Sequence, residues 1–378
     1  MELVFAADLH LAANTWKRLP SVCGDSYRAF EQIVSYCADH KDRVAALVLG
    51  GDIFDSKPDS SDVSCFLKGV RLLTKLGIRI CAIQGQHGRN RELPWTSIDP
   101  YVLWLHGTTF ELPGPTVIAG VDNMPPDELQ ARIKALDPAV DILVLHQKCK
   151  GCLPDIGDQV SWDFDPDWLP EHVKLVLLGD VHKLWDTVMV RNALKIPCVY
   201  SGSTCMQSID EAPNKSFLVV QLDKTFTWRR EGLTTRPFAS FVIHEEPEFL
   251  NALEPIAKLA PETLVLVRHS SLIADVAPRL NSVNNKVHYM LRLLPLDSTA
   301  STSIEPSDDE AIEQVTLRSC LNSAVDPFKE PKLNGLIAGL LESRDPVGTL
   351  AEMKKKVIDG EPGPVAVPPA PAGEVPAP

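Results

Sequence analysis

Five short apolar runs in the first half of the chain end in side chains that bind metal ions or exchange protons. The runs read ELVFAADLH, AALVLGGDIFD, IRICAIQGQH, DILVLHQ and KLVLLGDVH, and helical stretches separate them, which predicts a layered α/β fold. Ligands bind at the carboxyl ends of the strands in such sheets, so we expect the polar endings to converge on one site. In chain order these endings are Asp8, His10, Asp52, Asp55, Gln86, His87, His146, Asp180 and His182.

The donors at these endings are carboxylates, imidazoles and one side-chain amide, with no thiolate among them. This mixture suits manganese, magnesium or iron better than a structural zinc ion. There are too many donors for one ion, whereas two ions about 3.5–4 Å apart that share a carboxylate would use them all. Such a pair binds a phosphodiester and activates water, and a histidine that is not a ligand can protonate the leaving oxygen.

Composition narrows the class of protein further. The 378 residues are 44% apolar, which leaves room for a catalytic domain and an accessory one. A net charge of −13 argues against general electrostatic coating of nucleic acid, although it allows a local basic rim. Nine cysteines without disulfide-like spacing predict a reducing compartment. With no signal-peptide pattern and no apolar run near the roughly 20 residues of a membrane span, we expect a cytoplasmic protein, or one of the host cytoplasm for a viral chain.

Changes in pattern along the chain predict four segments. Residues 1–232 form the α/β domain, and residues 233–296 read as a small βαββ unit. Residues 297–358 combine a polar linker with helices, and residues 359–378 form a proline-rich tail that we expect to be disordered.

The stretch CKGC at residues 149–152 has the spacing of a pair of zinc ligands. No second pair of cysteines lies nearby in the sequence, and two thiols do not complete a tetrahedral site. We therefore interpret Cys149 and Cys152 as incidental cysteines.

In the order DLH, GD followed by D, GQH, H and GDVH, the chain resembles the calcineurin-like metallophosphoesterases. Among these it is most similar to the SbcD-type nuclease subunits of the SbcCD and MRN complexes. GDIFDSKPDSS resembles a GD(L/I)FD stretch of that branch, and VYSGSTCMQSIDEAPNKSFLVVQLD (199–223) resembles its Ser-Gly-Ser segment and the strand that follows. TRPF then begins a small capping domain, as in the family, and the resemblance covers roughly residues 1–300.

The resemblance implies a four-layer α/β/β/α metallophosphoesterase sandwich with a small α+β capping domain and C-terminal helices. It implies an activity too, a manganese-dependent exonuclease and endonuclease on double-stranded DNA in recombination and repair, with magnesium as the alternative metal. The implied partners are DNA and an SbcC-type coiled-coil ATPase, in a heterotetramer that contains a homodimer of this chain.

The family pattern also implies a role for each site residue. Asp8, His10 and His182 would bind the first metal, Asp52 would bridge, and His87 would act on the leaving group. Gln86, His146 and Asp180 would bind the second metal.

Three positions depart from the family pattern. The family usually has Asn where this chain has Gln86, and His where it has Asp180. It often has Asp or Glu where this chain has Gly88, so His87 needs another orienting group, for which Asp55 is the candidate. Two other functions therefore stay open, a stand-alone phosphoesterase acting on small phosphodiesters or phosphoproteins, and a non-catalytic scaffold of the same fold.

Two further sets of residues concern DNA and the partner. Basic side chains follow the motifs and could form a cationic rim for a phosphodiester backbone, namely Arg89, Arg91, Lys148, Lys150 and Lys183. An apolar stripe with helical spacing lies beyond the linker, at Leu333, Leu336, Ile337, Leu340 and Leu341. Such a stripe packs either on this chain's own domains or on the ATPase.

Overall fold

The computed structural model describes residues 1–294 except 14, 17–18, 20–21, 56, 88–97, 153–161 and 192–193. Two six-stranded sheets dominate these residues. The first sheet contains, in spatial order, β12 (Thr227–Leu233), β11 (Lys215–Gln221), β1 (Glu2–Ala6), β2 (Val44–Gly50), β3 (Arg79–Ile83) and β4 (Leu103–Trp104). The second contains β5 (Thr109–Glu111), β6 (Val117–Val121), β7 (Ile142–His146), β8 (Leu175–Gly179), β10 (Leu194–Tyr200) and β9 (Trp185–Arg191).

Parallel strands form the centre of each sheet. Strands β1 to β4 are parallel, as are β6, β7, β8 and β10, while β11, β12, β5 and β9 add antiparallel neighbours. Every residue of β1, β7 and β8 is buried, as expected for strands covered on both faces. The five apolar runs found in the sequence are β1, β2, β3, β7 and β8.

Three apolar layers hold the fold together. Helices α1 (Asp25–Asp39) and α2 (Ser60–Lys75) cover the first sheet, with Phe30 and Phe66 stacked between them. The two sheets pack face to face through residues such as Phe5 and Leu177. Helix α3 (Pro126–Lys134) and a 3₁₀ turn (Pro166–Trp168) cover the second sheet. The predicted four-layer α/β/β/α sandwich is therefore confirmed.

A smaller unit follows β12. It contains β13 (Phe238–Ile243), α4 (Glu246–Ala257), β14 (Leu264–His269), α5 (Val276–Val283) and β15 (His288–Leu293), in one three-stranded parallel sheet. The sequence predicts a βαββ unit, and the structure differs by the additional helix α5. Adjacent parallel strands cannot be joined by a tight turn, so a crossover is needed between β14 and β15. The α5 stretch VAPRLNSV gave little helical signal because it is short and contains a proline.

No helix among the described residues is long and apolar enough to cross a membrane. The segments predicted for 297–358 and 359–378, with the apolar stripe at Leu333, Leu336, Ile337, Leu340 and Leu341, lie outside the described residues.

Candidate metal centre

The polar strand endings of both sheets meet at one edge of the sandwich. Asp52 follows β2 of the first sheet, and its Oδ2 lies 3.3 Å from Nε2 of His146 at the end of β7 of the second sheet. The same oxygen lies 3.8 Å from Nε2 of His10 and 3.8 Å from Nε2 of His87. The carboxylate of Asp52 is thus at the middle of three imidazoles, which is where a bridging ligand would have to lie.

Asp8 occupies a second central position. Its Oδ1 lies 3.7 Å from Nε2 of His146 and 3.9 Å from Nε2 of His182, and Nε2 of His182 is 3.2 Å from Nε2 of His10. Three groups of donor atoms therefore lie within 4.8 Å of one another: Asp8 with His10 and His182, Asp8 with Asp52 and His146, and His10 with Asp55 and His87. The first group contains the residues expected for the first ion, and the second contains the expected bridge with a ligand of the second ion.

The backbone turns sharply where these residues leave their strands. Four of the six non-glycine residues with positive φ in the described chain are expected ligands: Asp8 (53°), His10 (43°), Asp52 (46°) and Asp180 (82°). Such conformations are uncommon for residues with a Cβ and cluster at functional sites. The loops after β1 and β2 support each other, because the amide of His10 donates to the carbonyl of Asp52 at 2.9 Å.

Two glycines allow this close approach. Gly51 has a φ of 100°, and a Cβ at this position would collide with the ring of His146. A Cβ at Gly85 would collide with the carboxylate of Asp52. A side chain at Gly51 would push His146 of the second sheet away from the first sheet, and one at Gly85 would displace Asp52 within the first sheet.

The chemistry of the centre fits divalent metal ions. Asp8 and His146 are fully buried, and Asp52 is nearly so. Asp52 Oδ2 and His146 Nε2 have no hydrogen-bond partner within the described residues, which is costly for buried polar atoms. The ion pairs found there for Asp8 and Asp52 involve only histidines. Cations bound among these donors would satisfy both the orphaned atoms and the buried carboxylates.

The charged side chains of the centre shift one another's pKa values. Burial alone would lower the pKa of His146, but the carboxylates of Asp52 and Asp8 outweigh it and raise that pKa to about 10. Burial would raise the pKa of Asp52, but His146 above all lowers it to about 2. For Asp8 burial dominates and raises the pKa. The centre is therefore strongly coupled, with proton and metal competing for the same atoms.

Three imidazoles are oriented by oxygen acceptors. Nδ1 of His146 donates to the carbonyl of Gly50 at 2.7 Å, and Nδ1 of His87 donates to the carbonyl of Asp55 at 2.7 Å. The partner expected for His87 is thus in contact, through its backbone. With Nδ1 engaged, each ring turns Nε2 toward the other donors, the usual arrangement of metal-site histidines.

Glu211 orients the third imidazole and was not singled out in the sequence. Its carboxylate accepts from Nδ1 of His182 at 2.8 Å, from Nζ of Lys215 at 2.6 Å and from Oγ of Ser203 at 3.1 Å. Burial would raise the pKa of Glu211, but His182 and Lys215 lower it to about 2. Glu211 lies inside the 199–223 stretch that carries part of the family resemblance. The local sequence feature that could have pointed to it is its position four residues before Lys215, with which it forms an ion pair.

Replacing Glu211 by Gln should weaken metal binding about 10- to 100-fold, because the imidazole of His182 loses its charged acceptor. The metal concentration that gives half-maximal hydrolysis should rise, while the rate at saturating metal recovers. Asp210→Asn is the matched control, since the carboxylate of Asp210 binds Arg268 and Arg292 rather than a histidine. An unchanged metal requirement in Glu211→Gln would contradict the positioning role.

The two ligands that depart from the family pattern touch each other. Nε2 of Gln86, which is exposed, donates to Oδ1 of half-buried Asp180 at 2.7 Å. The additional methylene of Gln86 therefore has a partner in the shorter side chain of Asp180. The two departures from the family pattern are therefore in direct contact in the fold.

Because Gln86 and Asp180 are in contact, we expect the effects of substituting them on the rate of hydrolysis to be non-additive. Gln86→Asn and Asp180→His should each lower the rate of hydrolysis more than the double variant does, because the double variant restores the pair found in the family. The coupling free energy from kcat/KM of the four proteins should exceed about 0.5 kcal/mol, the lower end for residues in contact. Additive effects would show that the two positions act independently.

The basic rim is partly described. Lys150 forms an ion pair with Asp165 at 2.8 Å, Lys148 is half-buried beside Asp163, and Lys183 is exposed with no ion pair found in the described chain. Arg89 and Arg91 lie outside the described residues, as does Gly88.

The sequence of this chain matches the model of one protein family. A family model for the calcineurin-like phosphoesterases matches residues 1–184, the part of the chain that contains β1 to β8 and all nine polar strand endings. The chain is therefore similar to the calcineurin-like phosphoesterases over residues 1–184, slightly less than half of its length.

One curated relative is similar over a longer stretch. The chain is 27% identical over 256 residues to the DNA double-strand break repair protein Mre11 of Haloferax volcanii. The alignment covers 63% of this chain and 53% of the relative, so the chain spans about half the length of that protein.

Two solved structures show a weak likeness. Zinc-bound Vps29 from Entamoeba histolytica is 13% identical with a TM-score of 0.29, and the likeness covers 62% of this chain and 100% of that one. The nuclease MPE of Pseudomonas putida is 13% identical with a TM-score of 0.29, over 61% of this chain and 87% of that one. At these TM-scores neither likeness carries weight for function.

Proposed function

We propose that this chain is a manganese-dependent DNA nuclease that hydrolyses phosphodiester bonds at a dinuclear centre, as the nuclease subunit of an SbcCD-like repair complex. The observation that carries the proposal is the meeting of Asp52 and His146 from two different sheets, with a buried orphaned atom on each. Neither atom has a hydrogen-bond partner among the described residues, which is costly for a buried polar atom. A shared site for metal ions gives both a role.

The chain's own residues divide the chemistry between them. Asp8, His10 and His182 would hold one ion, Gln86, His146 and Asp180 would hold the other, and Asp52 would contact both. When bound, the two ions would polarise the phosphate and supply an activated water. Glu211 and the carbonyl of Gly50 keep the rings of His182 and His146 in their orientations.

His87 is placed to move a proton. Its Nδ1 donates to the carbonyl of Asp55, so the other ring nitrogen is the one that faces the centre. The side chain is 37% exposed, whereas that of Asp52 beside it is 1% exposed. A leaving oxygen that enters from solvent would meet His87 before the buried donors, which suits a general acid.

Two observations support DNA as the substrate. The relative named above is a DNA double-strand break repair protein, and basic side chains follow three of the strand endings. Lys148 and Lys183 would contact phosphates without reading bases, so cleavage would be independent of sequence. Magnesium is the alternative metal, since the donors are oxygen and nitrogen atoms.

Full-length protein stripped with chelator and reloaded with manganese tests this proposal. It should degrade linear double-stranded DNA and hydrolyse the chromogenic diester bis(p-nitrophenyl) phosphate. Hydrolysis of the chromogenic diester alone would indicate a stand-alone phosphoesterase. Failure on both substrates, with the metal bound, would indicate a non-catalytic scaffold.

The proposed ATPase partner is tested by truncation. If the stripe from Leu333 to Leu341 binds an SbcC-type ATPase, a chain ending near residue 300 should keep metal-dependent hydrolysis and no longer co-purify with that ATPase. Co-purification that survives truncation would place the interface elsewhere, and an unfolded product would place the stripe in this chain's own core. The homodimer within a heterotetramer belongs to the same proposal, and the mass of the purified complex tests it.

A further inference from the structure

Three buried cysteines converge at a second place in the fold, away from the strand-end donors. Cys149 and Cys152 flank the turn that follows β7, and Cys198 lies on β10. Their sulfur atoms all lie within 4.8 Å of one another, and none of the three side chains is more than 1% exposed. CKGC was interpreted as incidental because no second pair of cysteines lies nearby in the sequence, and the fold brings one further cysteine, Cys198, to the pair.

The environment of the cluster is apolar. The three cysteines belong to the apolar layer under the second sheet, with Phe164 and Leu169 among their neighbours. Solvent cannot compensate the charge of thiolates in such a layer, whereas a bound cation can.

We propose that the reduced thiols of Cys149, Cys152 and Cys198 bind one zinc ion, separate from the dinuclear centre. The C-x-x-C spacing is that of zinc ligands, with the third thiolate from a neighbouring strand, and each Zn–S bond is about 2.3 Å long. Binding releases the three thiol protons to solvent and forms three Zn–S bonds. No other histidine, cysteine or carboxylate of the described residues joins this group.

The position of the cluster gives the zinc a structural task. Cys149 lies three residues after His146, and its amide donates to Oη of Tyr200 at 2.8 Å. The hydroxyl of Tyr200 donates in turn to the carbonyl of Gln147 at 3.0 Å. An ion that joins Cys149 to Cys198 would therefore tie the segment after β7 to β10. This tie would hold the loop that begins at a proposed ligand of the catalytic metals.

The competing state is an oxidised pair. The structure places Cys149 and Cys152 as a disulfide, with Cα atoms 5.5 Å apart, and leaves Cys198 as a thiol beside them. The same three residues cannot bind zinc in that form, so the two states exclude each other. Counting thiols in denatured, unreduced protein separates them, because the disulfide state has two thiols fewer than the zinc state.

Cobalt(II) substitution of the full-length reduced protein tests the site directly. Thiolate-bound cobalt gives a sulfur-to-metal charge-transfer absorption that the dinuclear centre, which has no thiolate, does not give. We expect this absorption in the cobalt-loaded wild type and its loss in cobalt-loaded Cys198→Ser and Cys152→Ser. Each of these variants should also bind one zinc ion per chain less than the wild type. Cys81→Ser is the matched control, since Cys81 is an equally buried strand cysteine on β3 and should keep both signals.

Several outcomes would overturn the zinc site. One is the absence of the charge-transfer absorption in reduced wild-type protein, and another is its survival in both cysteine variants. Seven thiols in protein purified without oxidant, with no bound zinc, would assign the cluster to the disulfide. Cys152→Ser covers the case in which Cys198→Ser does not fold, because Cys152 lies in a loop rather than in the sheet.

Discussion

Asp52→Ala is expected to reduce phosphodiester hydrolysis to the background rate. Oδ2 of Asp52 lies within 3.8 Å of nitrogen atoms from both sets of expected ligands, so its removal takes a donor from both ions at once. The variant should also bind less manganese, as measured by the metal content of the protein after gel filtration. Hydrolysis of bis(p-nitrophenyl) phosphate across a manganese titration measures the loss of activity.

Asp42→Ala is the matched control for this experiment. Asp42 is an exposed carboxylate just before β2, at the opposite end of the strand that Asp52 follows, so it should keep full activity and metal content. Full activity of Asp52→Ala would contradict the dinuclear centre. Loss of activity in both variants would point to damage to β2 rather than to a lost ligand.

His87→Ala is expected to lower turnover by roughly a hundredfold or more while both metals stay bound, the usual effect of losing a general acid. The ring of His87 is held by the carbonyl of Asp55 and lies beside Asp52, yet it is more exposed than the buried donors. Single-turnover rates on DNA, with metal content and DNA affinity measured on the same protein, separate chemistry from binding. His244→Ala, which replaces an exposed histidine of the smaller unit after β12, should leave all three quantities unchanged.

A different result would identify His87 as a metal ligand. His87 forms a group of potential metal donors with His10 and Asp55. If metal content falls together with turnover in His87→Ala, His87 is a ligand and the proton must come from another group.

The strand-end rule predicted the centre because it is local. Residues 8 to 10, 52 to 55 and 180 to 182 directly follow parallel strands, and the carboxyl ends of such strands must meet at one edge once the sheets pack. Each strand ending could be recognised from a few consecutive residues of the sequence. The convergence then followed from the topology of the fold rather than from any property of a single residue.

Glu211 and Cys198 could not be predicted in this way. Glu211 lies in a loop after β10, and only the folded chain shows that its carboxylate meets His182. Cys198 reads as an ordinary apolar residue of a strand until β10 packs beside β8 and under the turn at Cys149. Contacts between residues far apart in the sequence left no periodic signal, and the contact between Gln86 and Asp180 is of the same kind.

Adding manganese back to chelator-stripped, full-length protein on linear double-stranded DNA tests the central claim most directly. The account predicts no cleavage in chelator, and cleavage that rises as manganese binds and levels off at two ions per chain. Full cleavage in chelator, or two bound manganese ions with no cleavage of any phosphodiester, would contradict it.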